Sequence, residues 1–199
     1  MGDDVFIYAH DTSGSTSRVP YYFKHANIHK EAFKAKTREK DNVHYLLWES
    51  LCEETTLQGL EALYSRNEGR NGTQPHSISN WIIKNRLQHK NITLWLITDG
   101  EIHESDLIVC KSLNIGINFV SVKLITINEQ QIDNSISFAF FNNNCKITII
   151  EEIRNKFKKI ALETNTYDFD KITAINFMEN FDELSNYVIS KYTIDYNKS

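Results

Sequence analysis

One apolar run, at residues 92–98, is the strongest single indication of the fold. It reads Ile-Thr-Leu-Trp-Leu-Ile-Thr and is closed by Asp99 and Gly100. Its apolar side chains continue almost without alternation, as in strands that are covered on both faces of a parallel sheet. The run therefore predicts a central strand with both leucines on one face and with Trp95 and Ile97 on the other.

Strand and helix patterns alternate along most of the chain. Strands are predicted at residues 5–10, 43–48 and 117–127, and helices after Pro20, at residues 57–64, from Pro75 to Leu87 and at residues 106–113. This alternation predicts an α/β domain with a doubly wound, mostly parallel central sheet and helices on both faces. A chain of 199 residues suits a single domain that spans residues 1–199.

The remaining segments carry weaker patterns. Residues 50–70 predict a loop followed by a helix, with any edge strand there reduced or missing. Residues 136–141 and 146–150 flank three asparagines and predict a hairpin. The predictions for the rest are a helix at residues 151–162, a strand at residues 172–177 and a closing helix at residues 181–192.

Composition and charge argue against several classes of protein. The chain is 41% hydrophobic and 24% charged, which is near the globular average, so a disordered chain or a coiled coil fits poorly. Its net charge of −4 argues against a nucleic-acid binder, which needs a basic surface. No signal peptide or membrane-spanning run is evident, so we expect a cytoplasmic, intracellular protein. We then expect free thiols at Cys52, Cys110 and Cys145.

Oxygen-bearing side chains cluster where two of the predicted strands end. Asp11, Ser13 and Ser15 lie within one short turn after the first strand, and Asp99 follows the apolar run. Thr73 adds a hydroxyl from a glycine-containing loop before a helix. Open parallel sheets bind ligands at the carboxyl ends of their strands, so these groups are candidates for one site. Carboxylate and hydroxyl oxygens suit a hard divalent cation, Mg²⁺, Mn²⁺ or Ca²⁺, better than zinc.

Three motifs in this region resemble those of von Willebrand factor A (integrin I-like) domains. Asp11-Thr12-Ser13-Gly14-Ser15 is similar to the DxSxS signature, Asn71-Gly72-Thr73 to the Gly-Gly-Thr loop, and Thr98-Asp99-Gly100 to the Thr-Asp-Gly strand end. The order of the motifs also matches, and the resemblance covers at least residues 5–125. The sequence departs from the family at Thr16, where a Met or a small apolar residue is usual, and in the asparagine that begins the threonine loop.

The resemblance implies a metal-ion-dependent adhesion site (MIDAS). It implies that Ser13 and Ser15 bind the metal directly, and that Thr73 does so directly or through water. Asp11 and Asp99 are implied to act mainly through bound water and to balance the charge. The sixth coordination position is then open for an Asp or Glu carboxylate of a partner protein. The rim of that position is expected to consist of Gly14, Gly100, His103 and Glu104.

Other interpretations of the same residues are open at this point. An ordinary α/β protein with polar turns at its strand ends is the simplest. A metal-dependent hydrolase would need a general base near the metal, for which His103 and Glu104 are the obvious candidates. A scaffold component of a viral or other large assembly would use the fold alone, and the metal would be incidental.

A histidine pair on the first helix is a further candidate for metal binding. His25 and His29 are four positions apart, the spacing of a helical metal pair. The HExxH pattern needs Glu at the position that Ala26 occupies. We therefore predict that this pair lies on a solvated helix face.

Overall fold

The computed structural model describes residues 3–66, 69–70, 72–130, 136–140, 145–154, 156–163 and 193–195. The strands are β1 (Asp4–Asp11), β2 (Val43–Trp48), β3 (Cys52–Thr55), β4 (Asn91–Thr98), β5 (Phe119–Asn128), β6 (Lys146–Ile153), β7 (Lys156–Glu163) and β8 (Thr193–Asp195). The helices are α1 (Tyr22–Lys36), α2 (Leu57–Arg66), α3 (His76–Lys84), α4 (Glu104–Asn114) and α5 (Ile136–Ala139).

All of these strands belong to one sheet, in the order β3-β2-β1-β4-β5-β6-β7-β8. Strands β2, β1, β4, β5 and β6 are parallel, whereas β3 at one end and β7 and β8 at the other are antiparallel to their neighbours. The strand order reverses between β1 and β4, which lie side by side. This arrangement confirms the predicted doubly wound α/β class. In sheets of this kind ligands bind beside the carboxyl ends of the strands at which the order reverses, here β1 and β4, and we call that region the crevice.

Helices cover both faces of the sheet and close a hydrophobic core on each. Helices α3, α4 and α5 pack on one face, where Ile78, Trp81 and Leu107 are buried. Helix α1 and helix α2 pack on the other face, with Phe33 and Leu60 fully buried. Within the described ranges, no helix is both long and apolar enough to cross a membrane.

Strand β4 confirms the prediction made from the apolar run. It pairs with β1 on one side and with β5 on the other, so it lies inside the sheet. Leu94 and Leu96 belong to the core beneath α3 and α4, and Trp95 and Ile97 to the core beneath α1 and α2. Alternate side chains of β4 thus pack against the helices on opposite faces of the sheet.

The prediction for residues 50–70 missed the edge strand β3. Its sequence, Cys-Glu-Glu-Thr, has no apolar alternation and therefore predicts no strand. The strand forms because it returns directly from β2, with Trp48 paired to Cys52 and Tyr45 to Thr55. Backbone pairing with a buried neighbour, not side-chain burial, fixes this element.

The predicted hairpin at residues 136–150 was wrong in its first arm. Ile136–Ala139 is the short helix α5. The Asn114 side-chain amide donates to the carbonyl of its last residue, Ala139, at 2.7 Å. Ile136 and Phe140 are buried in the core, so the apolar residues that suggested a strand face helix α4 and the sheet instead.

The helix predicted at residues 151–162 was also wrong. Strand β6 continues to Ile153, the chain turns at Arg154 with a φ of 49°, and β7 returns antiparallel from Lys156. The strand and helix predicted at residues 172–177 and 181–192 lie outside the described residues.

Candidate metal site

The turn after β1 is held by its own side chains. Asp11 is buried; its Oδ1 accepts from the Ser13 backbone amide at 2.8 Å, and its Oδ2 accepts from the Thr98 hydroxyl at 2.7 Å. The Ser13 and Ser15 hydroxyl oxygens lie 3.0 Å apart. Thr16, the departure from the family pattern, is buried and donates to the Ser13 carbonyl at 2.7 Å, so its hydroxyl stabilises the turn.

The threonine loop lies directly against this turn. The Arg70 amide donates to the Thr12 carbonyl, and a Cβ added at Gly69 would come within 2.5 Å of the Ser13 carbonyl oxygen. Further along, the Gln74 amide donates to the Glu49 carbonyl at 2.8 Å. Between these anchors Gly72 has a φ of 93°, which favours glycine. Thr73 lies half-buried in this loop, directly before Gln74.

Asp99 enters the crevice from the end of β4. Its Oδ1 accepts from the Glu101 amide at 3.1 Å. Its Oδ2 is buried and has no hydrogen-bond partner within the part of the chain that the structure describes. The next residue, Gly100, has a φ of 83° and donates its amide to the Thr98 hydroxyl at 3.0 Å. Thr98 thus connects the Asp11 carboxylate to the loop that carries Asp99.

The two carboxylates make this crevice electrostatically unfavourable for the protein alone. Burial, together with the neighbouring Asp99 charge, raises the pKa of Asp11 to about 7. Burial also raises the pKa of Asp99, although the Ser15 hydroxyl and the Glu101 amide partly offset it. A cation between these oxygens would remove the cost of burying the charge.

The donor set fits a hard cation. Within the described residues no group of three or more His, Cys, Asp or Glu side chains could hold a metal, so a zinc-type site is not formed there. The donors that the structure brings together are instead the two carboxylates and the Ser13 and Ser15 hydroxyls, and they include the unpartnered Asp99 Oδ2. Oxygen donors of this kind are those that Mg²⁺ and Mn²⁺ prefer.

The pKa of Asp11 leads to a prediction about pH. A carboxylate whose pKa is raised on folding favours the folded state below its unfolded pKa, and this contribution is lost as the pH rises through about 7. Buried His10, whose pKa burial lowers to about 3, has the opposite effect on stability. Because Asp11→Asn keeps His10, the difference in stability between wild type and this variant reports the effect of the Asp11 carboxylate.

We therefore expect wild type in EDTA to lose stability relative to Asp11→Asn between about pH 5 and about pH 8. Urea unfolding of both proteins across this range measures the difference. Parallel stability curves would contradict the assignment of a raised Asp11 pKa.

The expected rim residues lie on the loops around the crevice. Gly14 and Gly100 are half-buried, and His103 and Glu104 are exposed. His103 caps helix α4, since its Nδ1 accepts from the Ser105 amide at 3.3 Å and lies 2.8 Å from the Ser105 hydroxyl. Glu104 is the first residue of that helix. His103 therefore has a structural role at the start of α4.

Sequence reasoning missed three supporting side chains. Thr98 bonds Asp11, the Tyr22 hydroxyl donates to the Asp11 carbonyl at 3.2 Å, and the Asn128 amide donates to the Asp99 carbonyl at 2.9 Å. Only Thr98 carried a signal, as the first residue of the Thr-Asp-Gly motif. Tyr22 and Asn128 are distant in sequence, and no local pattern connects them to the crevice.

The prediction for His25 and His29 was wrong. His25 is buried, and its Nδ1 lies 2.6 Å from one oxygen of Glu152, while the His29 Nε2 lies 2.5 Å from the other. Glu152 is itself buried on β6. The pair fastens α1 to the sheet rather than facing solvent.

The comparison with solved structures identifies the fold. A von Willebrand factor type A protein from Catenulispora acidiphila superposes with a TM-score of 0.53 at 17% sequence identity, over 92% of this chain and 42% of that one. The fold is of the von Willebrand factor A type. The human COPII-coat protein Sec24c gives a TM-score of 0.46 at 8% identity, over 93% of this chain and 32% of its own.

Sequence comparison gives one viral relative. The "Early 94 kDa protein" of Autographa californica nuclear polyhedrosis virus is 32% identical over 200 residues, which cover 95% of this chain and 24% of that protein. The chain thus spans about a quarter of the length of the curated relative it matches. No family model matches the chain.

Proposed function

We propose that this von Willebrand factor A-like domain is a metal-dependent protein-interaction module. Mg²⁺, or Mn²⁺ or Ca²⁺ in its place, would be held by Ser13, Ser15 and Thr73, with Asp11 and Asp99 acting mainly through water. The bound cation would supply an open coordination position for an Asp or Glu of a partner protein. The observation that carries the proposal is the convergence of two buried strand-end carboxylates, one with an unpartnered oxygen, on a pair of serine hydroxyls.

The charges of the site support an external carboxylate as the ligand. If the hydroxyls and water form most of the inner shell, the two buried carboxylates compensate the cation only at a distance. A cation with few charged direct ligands keeps a strong attraction for an additional anion. The partner's carboxylate would complete the shell.

Binding is favoured over hydrolysis by the state of the nearest candidate bases. His103 is engaged at the start of α4 through its Nδ1, and Glu104 lies on the same exposed helix end. Among the described residues, no hydrogen bond joins either side chain to Asp11 or Asp99. A general base must lie within reach of the water or hydroxyl that it activates.

The viral relative supports a role within a larger polypeptide. It is named an early protein, and the matching segment is about a quarter of it. We therefore propose that this domain acts inside the cell and attaches a larger viral protein or assembly to its partner.

Thr73→Ala tests the proposal with little disturbance of the fold. The N-cap of α3 is Pro75, so Thr73→Ala removes only one hydroxyl from a half-buried loop, and we expect it to cost at most about 2 kcal/mol of stability. Mn²⁺ affinity, measured by calorimetry, should fall about tenfold. Thr56→Ala is the matched control, because Thr56 is an exposed threonine whose hydroxyl accepts from the Gly59 amide at the start of α2.

Capture of partners from cells with Mn²⁺ or with EDTA extends the test to the protein ligand. The proposal requires capture by wild type and by Thr56→Ala in Mn²⁺, and loss of capture in EDTA or with Thr73→Ala. Partners that bind equally under all of these conditions would assign the interaction to another face and would favour a scaffold role.

A further inference from the structure

Asn128 connects the candidate metal site to the strand beside it. It is the last residue of β5, and its Nδ2 donates to the Asp99 carbonyl at 2.9 Å. Its Oδ1 accepts from the backbone amides of Glu129 and Gln130, at 2.6 and 3.4 Å. Because donors approach one end of the side chain and an acceptor the other, the network fixes the amide orientation. The side chain is held at both ends.

Tyr21, the residue directly before helix α1, supports Asn128 through its hydroxyl. Its hydroxyl donates to the Asn128 carbonyl at 2.6 Å and accepts from the Arg154 amide at 2.9 Å. Its ring lies 4.9 Å from that of His25, the residue that bonds Glu152 on β6. The start of α1, the end of β5 and the turn after β6 therefore meet at this one hydroxyl.

These contacts restrain the peptide that follows Asp99. The amide side of this peptide, at Gly100, donates to the Thr98 hydroxyl, and its carbonyl side, at Asp99, accepts from Asn128. With both ends of the peptide fixed, the backbone that carries the Asp99 carboxylate has one orientation. Sites of this kind depend on a supporting shell that holds each ligand to within about 0.5 Å.

We propose that Asn128 is a positioning residue of the candidate metal site, and that Tyr21 supports it. This inference rests on the proposed function, since it assigns these residues to the same cation. Asn128 touches neither the metal nor its partner; it acts through the Asp99 backbone. Its loss should weaken cation binding, and Tyr21→Phe, which removes only the hydroxyl, should have the same effect to a smaller extent.

Asn128→Ala and Tyr21→Phe test the inference by Mn²⁺ calorimetry. We expect Asn128→Ala to weaken Mn²⁺ binding about tenfold and Tyr21→Phe about threefold. The double variant should lose less than the product of the two effects, because both act through one network. Thr126→Val is the matched control, because Thr126 also lies on β5 and its hydroxyl donates to the Ile150 carbonyl at 3.5 Å, away from Asp99.

Amide hydrogen exchange in EDTA provides a readout that does not depend on the metal. Asn128→Ala should speed exchange at Gly100 and Glu101, and Thr126→Val should not. Faster exchange with weaker Mn²⁺ binding supports the inference. If Asn128→Ala binds Mn²⁺ as tightly as wild type does, the inference is wrong, but the proposed metal site is unaffected. Absence of Mn²⁺ binding by wild type overturns the proposed metal site and the inference with it.

Discussion

Asp11→Asn is expected to reduce Mn²⁺ affinity about a hundredfold or more and to stabilise the metal-free domain above about pH 7. The asparagine keeps the shape of the side chain and an oxygen for the Ser13 amide, but it removes the buried negative charge. The metal loses a compensating carboxylate, while the metal-free protein no longer buries two neighbouring acids whose pKa values are both raised. Binding and stability therefore change in opposite directions.

The control for this variant is Asp4→Asn. Asp4→Asn makes the same change of charge, and Asp4 lies exposed at the other end of β1. Calorimetry with Mn²⁺ and urea unfolding in EDTA measure both quantities. Unchanged Mn²⁺ affinity in Asp11→Asn would remove Asp11 from the metal site.

Leu96→Ala is expected to destabilise the domain by about 2–5 kcal/mol. Leu96 is fully buried on the central strand β4, in the core beneath α3 and α4, so truncation removes packing and leaves a cavity. Leu51→Ala is the matched control, because the Leu51 side chain is 77% exposed and should change stability by less than about 0.5 kcal/mol. Urea unfolding measures the stability of both variants. An equally small loss of stability in Leu96→Ala and Leu51→Ala would show that β4 lies outside the core.

The parallel part of the sheet could be predicted because its strands are buried on both faces. Burial of that kind leaves a nearly continuous apolar run, as in β1 and β4, and these strands begin and end close to the predicted positions. Each run also ends in the polar residues of the crevice, so the same pattern that located the strands located Asp11 and Asp99.

The elements at the sheet ends could not be predicted, because their stability comes from distant partners. Glu151 and Glu152 resemble exposed helix residues in sequence, yet both are buried in β6. The Glu152 charge is accommodated by His25 and His29, more than a hundred positions earlier. No local pattern reports such a contact, so the sequence of residues 151–162 predicts a helix instead.

The sequence indicates the candidate ligands but not the side chains that support them. Polar side chains in a turn are visible in sequence, because each follows an apolar run. Asn128 and Tyr22 contact the backbone of Asp99 and Asp11 from other elements, and this role leaves no residue pattern. The geometry of the fold was needed to connect them.

At high protein concentration, the short edge strand β3 limits self-association. An unpaired strand edge can recruit another chain into a continuous intermolecular sheet, and short length and charge both disfavour this. β3 has four residues; Glu53 bonds Arg70 at 3.0 Å, and Glu54 lies 2.7 Å from His44. Two such edges that met would bring carboxylates together. Copies of the domain that met through β3 would therefore stay separate folding units.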